Sequence, residues 1–287
     1  MPGSRFAFAL LTFVTIGMAV GALFQLAFLK RLEETSGVGM HIFRRKVYQS
    51  GLNDHMFLPK GLSLWDDDED ARALRIGFIK QEIINWSPRI IIFHNFLSHE
   101  ECEYLIELAR PRMGKATVVD VTTGKGVESK VRTSSGMFLT QSDRKYPITQ
   151  AIEKRISVYS MVPVENGEHI QVLQYEKGQY YNPHHDYFSD EFNLKRGGQR
   201  VATMLMYLSD GVEGGETFFP AIGTAQCRCG GELKRGICIN PRKGDALLFW
   251  STKLDGSVEP DSLHGGCSVL SGEKWSATKW MRQNKFD

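Results

Sequence analysis

Arg200-Val-Ala-Thr-Met-Leu-Met-Tyr-Leu208 is a short run that is apolar almost throughout. Runs of the same kind, apolar or alternating, recur at 169–175, 236–239 and 245–250, and Gly, Asp and Pro separate them. Several short strands with turn signals between them point to a β-sandwich or barrel. Upstream the pattern is different. Arg89-Ile-Ile-Ile-Phe93 is a strand candidate, and Ser98-x-x-Glu101 is a capping box followed by Tyr104, Leu105 and Leu108 at helical spacing. Ile148, Ile152, Ile156 and Tyr159 mark a second helix. Helices first and strands after give a mainly β fold with flanking helices, a jelly roll braced at its amino-terminal side.

Further out, Phe6 to Leu29 carries no charged residue, and Arg5 and Lys30-Arg31 bracket it. As a helix it reaches roughly 36 Å, enough for a hydrocarbon core of about 30 Å. The alternative, a cleaved signal peptide, has a shorter apolar region and a small-x-small cleavage site, and none is evident before Lys30. The expected organisation is a short cytosolic tail at 1–5, a transmembrane anchor at 6–29, a stem at 30–86 and a catalytic domain at 87–287. The run Asp66-Asp-Asp-Glu-Asp70 reads as solvated surface. With 42% hydrophobic and 24% charged residues the chain has the composition of an ordinary globular protein, and a formal net charge of +2 gives no support to nucleic-acid binding.

Five cysteines stand at 102, 227, 229, 238 and 267. Cys227-x-Cys229 lacks the spacing of a zinc site, and no second pair completes four ligands. Disulfides are expected, with at least one thiol left over. Cys102, in a helical stretch, reads as a small core residue.

Chemistry concentrates in Asn182-Pro-His184-His185-Asp186 and in Ser262-Leu-His264. Residues two apart on an extended chain face the same side, so His184 and Asp186 can share one ion while His185 points away. By itself His-x-Asp is usually incidental. A second imidazole, His264, would complete a 2-His-1-carboxylate triad, which leaves positions open for an oxoacid and oxygen. Lys274, ten positions on, is by default a surface lysine. In this company it can serve the far carboxylate of a dicarboxylic co-substrate, helped by a hydroxyl.

Together with Gly197-Gly-Gln-Arg200, Gly214-Gly-Glu-Thr217, Lys243-Gly-Asp-Ala-Leu-Leu-Phe249 and Gly272-Glu-Lys-Trp-Ser-Ala-Thr-Lys-Trp280, these motifs resemble the prolyl 4-hydroxylase family over residues 88–284, in particular its plant and algal single-chain type. The resemblance implies a double-stranded β-helix, Fe(II), 2-oxoglutarate (2OG) and O2 as co-substrates, and L-ascorbate. It implies 4-hydroxylation of peptidyl proline coupled to conversion of 2OG into succinate and CO2. It implies metal ligation by His184, Asp186 and His264, which with Lys274 form the catalytic set. It implies 2OG contacts from Lys274, Tyr175 and Thr217, and peptide contacts from Tyr181, Arg200, Trp280 and Arg132. Tyr175 reads equally as a core tyrosine, Thr217 as a turn hydroxyl and Trp280 as packing. Where some relatives have His two residues after the tryptophan, this chain has Arg282, which puts a groove contact there in question. Rival readings are a dioxygenase for a lysyl side chain or a small metabolite, and a non-catalytic metal-binding jelly roll.

Proline-rich secretory polypeptides are the expected partners, alongside the membrane at 6–29, and the resemblance leaves room for an oligomer with other prolyl hydroxylases. The expected location is the endoplasmic reticulum or Golgi membrane, single-pass type II, with the catalytic domain lumenal. The basic residues after the anchor argue for the opposite orientation. A disulfide is expected between Cys267 and one of Cys227, Cys229 or Cys238.

Overall fold

The structure, a computed structural model, describes residues 68–119, 126–128 and 130–286. The tail and the anchor expected at 6–29 lie outside the described residues, as does the stem up to residue 67. Among the described residues no helix is long and apolar enough to cross a membrane.

The folded unit begins at Asp68, earlier than the boundary at 87 drawn from the sequence. In chain order its first elements are α1 (Glu69–Leu74), β1 (Lys80–Trp86), β2 (Arg89–His94), α2 (His99–Ala109), β3 (Gly114–Lys115), β4 (Val118–Val119), β5 (Gly126–Val127), β6 (Ser135–Phe138) and α3 (Pro147–Ser160). There follow β7 (Gln171–Tyr175), β8 (Tyr181–His184), α4 (Glu191–Leu194), β9 (Arg200–Tyr207), β10 (Glu213–Gly214), β11 (Thr217–Phe219), β12 (Gln226–Cys229), β13 (Glu232–Arg235), β14 (Ile237–Ile239), β15 (Ala246–Trp250), β16 (His264–Gly266), β17 (Val269–Ser271) and β18 (Lys274–Arg282). Residues 68–86, assigned to the stem from sequence, belong to this unit. Asp68 caps α1 by accepting the Asp70 and Ala71 N–H groups at 2.8 and 3.2 Å, and Glu69 and Asp70 sit in its first turn, where negative charge is favoured. β1 pairs antiparallel with β2 from Lys80↔His94 to Trp86↔Arg89. It is an edge strand, mostly exposed, so it carries no apolar alternation to reveal it.

An eight-stranded sheet runs β1-β2-β15-β9-β18-β7-β6-β3, and a four-stranded sheet runs β14-β11-β16-β8. The central strands of the large sheet are buried on both faces, which is why 200–208 reads as nearly continuous apolar sequence. Alternation divides them. Ala202, Met204 and Met206 of β9, Ala246 and Leu248 of β15, and Trp275, Ala277 and Met281 of β18 join a core with Cys102, Leu105 and Ile106 of α2 and Ile152 and Ile156 of α3. Tyr207, Leu247 and Phe249 face the other way and pack with Phe219 and Ile239 of the small sheet. The jelly-roll reading from sequence is thus met by two sheets with helices on the outer face of the larger one. The capping box is present: Ser98 accepts from Glu101 N while Glu101 accepts from Ser98 N.

Two disulfides secure the small sheet. Cys227–Cys238 ties the β12–β13 hairpin to β14, and Cys229–Cys267 ties it to the end of β16. Cys102 is free and buried, and burial pushes its thiol up to about 12. The expected bridge at Cys267 is therefore formed, with Cys229 as partner. A chain-entropy argument gives about 4 kcal/mol for the bridge closing 38 residues and about 3 kcal/mol for the one closing 11. The double variant Cys229→Ala/Cys267→Ala should therefore lose more stability in denaturant unfolding than Cys227→Ala/Cys238→Ala.

Candidate active site

β8 and β16 lie antiparallel in the small sheet with His184 directly opposite His264. Gly265 permits this approach: a Cβ there would come within 2.8 Å of the Tyr181 carbonyl oxygen. Two residues past β8's last, Asp186 turns back between the imidazoles. His184 Nε2 is 3.6 Å from Asp186 Oδ1, and His264 Nε2 is 3.6 Å from Oδ2. The three potential ligand atoms lie within 4.8 Å of one another, and among the described residues this is the one such cluster of His, Cys, Asp or Glu. His185 points elsewhere, hydrogen-bonded to the Pro260 carbonyl at 2.8 Å and stacked on Tyr187.

Each ring is fixed by its other nitrogen. His184 Nδ1 is 2.9 Å from the Asn182 carbonyl, and His264 Nδ1 is 2.9 Å from the Ser262 carbonyl. A carbonyl can only accept, so in the neutral ring Nδ1 carries the proton and Nε2 presents its lone pair toward Asp186. This is the orientation a metal-binding imidazole requires. Thr203 Oγ1, on β9, donates to Asp186 Oδ2 at 2.6 Å and fixes the carboxylate. Burial alone would raise the Asp186 carboxyl, but His264 and His184 hold it well below the usual carboxylate range. Burial lowers His264 to about 4 against the opposing charge of Asp186. Near neutral pH the pair is therefore carboxylate and uncharged imidazole, both ready to bind a cation. Two imidazoles and one carboxylate in this arrangement fit Fe(II).

The cluster opens into a cavity whose wall is one face of β18. Lys274, Ser276, Thr278 and Trp280 line it, with Thr217, Tyr175 and Tyr181 around them. Lys274 is 4% exposed. Among the described residues it forms no ion pair, and its Nζ lies over the rings of Tyr175 and Tyr207 at 5.4 and 5.8 Å. Burial lowers its ammonium to about 8, opposed by the charge of Glu216. A buried lysine without a carboxylate partner, in a cavity that ends at two imidazoles, fits an anionic oxoacid. Thr217 Oγ1 is hydrogen-bonded to the Tyr207 hydroxyl at 2.8 Å, so the threonine reads as a cavity hydroxyl rather than a turn residue.

Outside the cavity runs a wider groove that shares Arg132, Tyr181, His184, Asp186 and Trp280 with it. Tyr181 stacks on His184 with ring centroids 3.7 Å apart, and the Arg132 guanidinium lies over the tyrosine ring at 4.8 Å. Arg132 is held by the Thr117 carbonyl and Gln171 Oε1 at 3.1 and 3.2 Å. Arg200 lines the groove, but its Nε and Nη2 both donate to Glu168 at 2.7 Å, and its guanidinium lies over the Trp280 and Phe188 rings. Arg282 also donates to Glu168, and to the carbonyls of Asn193 and Arg196. Arg282 thus lines the groove itself, with its guanidinium tied into the wall by Glu168 and two backbone carbonyls. Thr203, Tyr207, Glu168 and Ser276 were not singled out from sequence. The polar Thr203 and Tyr207 share one face of an otherwise apolar strand, and that parity was the available signal.

Residues 170–282 match the family model described as the 2OG-Fe(II) oxygenase superfamily. Prolyl 4-hydroxylase 1 of Arabidopsis thaliana is 62% identical over 282 residues, covering 98% of each chain. Prolyl 4-hydroxylase 5 of the same plant is 53% identical over 71% of this chain and 72% of its own. A solved structure of a viral collagen prolyl hydroxylase from Paramecium Bursaria Chlorella virus-1, in a 2OG complex, aligns with TM-score 0.50 and 27% identity over 67% of this chain and 95% of that one. Identity at that level along nearly the whole length, together with the family match across both histidine strands, means that this chain belongs to the prolyl 4-hydroxylase family of 2OG-Fe(II) oxygenases.

Proposed function

We propose that this protein hydroxylates C4 of proline in extended, proline-rich polypeptides, consuming 2OG and O2. In this reading His184, Asp186 and His264 hold Fe(II), and Lys274 holds the distal carboxylate of 2OG. The observation that carries it is the buried Lys274, which forms no ion pair among the described residues, in one cavity with the His-Asp-His cluster. When bound, the iron supplies the redox chemistry by which oxygen is reduced as 2OG is oxidised to succinate and CO2, one oxygen atom entering the proline C–H bond.

The protein's own part is binding and orientation. The two Nδ1–carbonyl hydrogen bonds keep both Nε2 lone pairs aimed at one point, and Thr203 fixes the carboxylate between them. Lys274 and Thr217, with the hydroxyl of Tyr175, orient the oxoacid so that its other end reaches the metal. The buried cavity keeps water from competing. In the groove, Tyr181 and Trp280 offer aromatic faces. Proline-rich chains adopt polyproline II with little ordering cost and leave their carbonyls free, so such faces can read them. Ascorbate serves as the reductant that keeps the iron in its ferrous state. The enzyme works in the lumen of the endoplasmic reticulum or Golgi, anchored through residues 6–29, a reading supported by the two disulfides, since such bonds persist in oxidising compartments.

The test compares poly-proline, a Ser-Pro-rich peptide and a Pro-Pro-Gly repeat under identical conditions with Fe(II), 2OG and ascorbate. At least one should gain oxygen at proline. Hydroxylation of a lysyl peptide or a free metabolite, with none of the three prolyl peptides modified, would remove the prolyl assignment.

A further inference from the structure

Besides Arg132, three arginines line the outer groove, and each lies over two aromatic rings. Arg200 lies over Trp280 and Phe188, 4.1 and 4.6 Å from the ring centres. Arg282 lies over Phe188 and Phe286, 4.6 Å from each. Arg196 lies over Phe286 and Phe192, at 5.5 and 6.0 Å. Cation and ring thus alternate from Trp280, which also lines the metal cavity, out to Arg196, and every member between them lines the groove. What the three guanidinium groups bond to is different. Arg200 donates to Glu168, and Arg282 donates to Glu168 and to backbone carbonyls. Arg196 is exposed, and among the described residues its side chain donates no hydrogen bond and forms no ion pair. The acids nearest it in the chain are engaged elsewhere. Asp190 caps α4 by accepting from Asn193 N at 2.8 Å, and Glu191 pairs with Lys195 at 3.4 Å.

We propose that Arg196, positioned by Phe286, is a distal binding residue for the substrate polypeptide, donating hydrogen bonds to backbone carbonyls several residues away from the reacting proline. The inference rests on the prolyl reading of the groove. A guanidinium held against a ring is already oriented while its N–H edge stays open, so it loses little freedom when an acceptor arrives. Phe286 is itself fixed, its N–H donating to the Glu165 carbonyl at 2.9 Å. Polyproline II leaves its carbonyls without internal partners, and these are the acceptors such an edge can take. Five steps of 4.1–5.5 Å lead from Trp280 to Arg196 along the series. A polyproline II chain, at about 3.1 Å per residue, covers that path in roughly seven residues or fewer. A long chain with a proline at the metal therefore reaches Arg196, and a peptide of about four residues does not. The distal residue selects long extended chains and leaves the reacting carbon untouched.

The experiment uses the full-length chain with Fe(II), 2OG and ascorbate. It measures kcat and KM for two terminally blocked oligoprolines, one of about four residues and one of about fifteen, in wild type, Arg196→Ala, Arg196→Lys and Lys195→Ala. Arg196→Ala should raise the KM of the long peptide about tenfold, the effect of losing a hydrogen bond from a charged donor, with kcat unchanged. The KM values of the short peptide and of 2OG should stay as in wild type. Arg196→Lys should restore only part of the loss, because one ammonium replaces a planar fork. Lys195→Ala, whose side chain does not line the groove, should behave as wild type. A long-peptide KM unchanged in Arg196→Ala would refute the subsite and leave the prolyl reading standing. A rise of equal size for both peptides would mark a general loss of fold and overturn the proposal. A Lys195→Ala protein weakened as much as Arg196→Ala would trace the effect to net charge and overturn it as well. A wild type that hydroxylated neither peptide would remove the prolyl reading, and the subsite with it.

Discussion

Lys274→Ala should weaken 2OG binding by on the order of 30- to several-thousand-fold and leave the metal site loaded. Among the described residues no carboxylate is paired with the ammonium in its cavity, so the ligand's carboxylate is its counter-charge. Truncating one partner of a buried charge pair costs about 2–5 kcal/mol. Lys274→Arg should not restore affinity, because a planar fork replaces a compact ammonium between the Tyr175 and Tyr207 rings. The same residue predicts a pH dependence. In the ligand-free protein it titrates at about 8, below its ordinary 10.5, because burial disfavours the charge. Affinity for 2OG should therefore fall as pH rises through about 8. Stability of the free protein moves the other way. Between about 8 and 10.5 the unfolded chain holds the extra proton, so stability rises with pH across that window, and Lys274→Ala should flatten the rise. Isothermal titration and denaturant midpoints measured across pH 7 to 11 check both signs.

His184→Ala, Asp186→Ala and His264→Ala should each abolish turnover and lower bound iron. Even partners outside the ligand shell commonly change metal affinity or activity by 10- to 100-fold, and removal of a ligand itself should exceed that. Asp186→Ala has a second consequence. It removes the charge that opposes the effect of burial on His264 and leaves the Thr203 hydroxyl without its acceptor. Thr203→Val should accordingly weaken metal retention less than any ligand variant, since the carboxylate remains but loses one restraint. Metal analysis after dialysis separates these outcomes from a mere loss of rate. A His264→Ala protein that kept both iron and turnover would remove the site.

What the sequence made legible follows from how strongly each feature depends on local pattern. The strands at 171–175, 200–207 and 246–250 were found because apolar runs between Gly, Asp and Pro have few other readings. The capping box Ser98-x-x-Glu101 marked the start of α2 at His99. α1 and β1 were missed because their residues are mostly exposed, and an edge strand needs no apolar face of its own. The histidine pair could be nominated from spacing, but their opposition across β8 and β16 is a register, which only tertiary pairing sets. The partner of Cys267 was open among three cysteines for the same reason. Arg200 and Arg282 were weighed as groove residues on resemblance. Their shared bond to Glu168 joins residues far apart in the chain, and no periodicity could announce it.

The most direct test of the account is to incubate the purified enzyme with a proline-rich peptide, Fe(II), ascorbate and 2OG, and to quantify hydroxyproline and succinate in the same samples by mass spectrometry. The account predicts 4-hydroxyproline and succinate in equal amounts, both absent from the His184→Ala protein. Succinate formed without any oxygen gained at proline, or hydroxyproline undiminished in the His184→Ala protein, would contradict it.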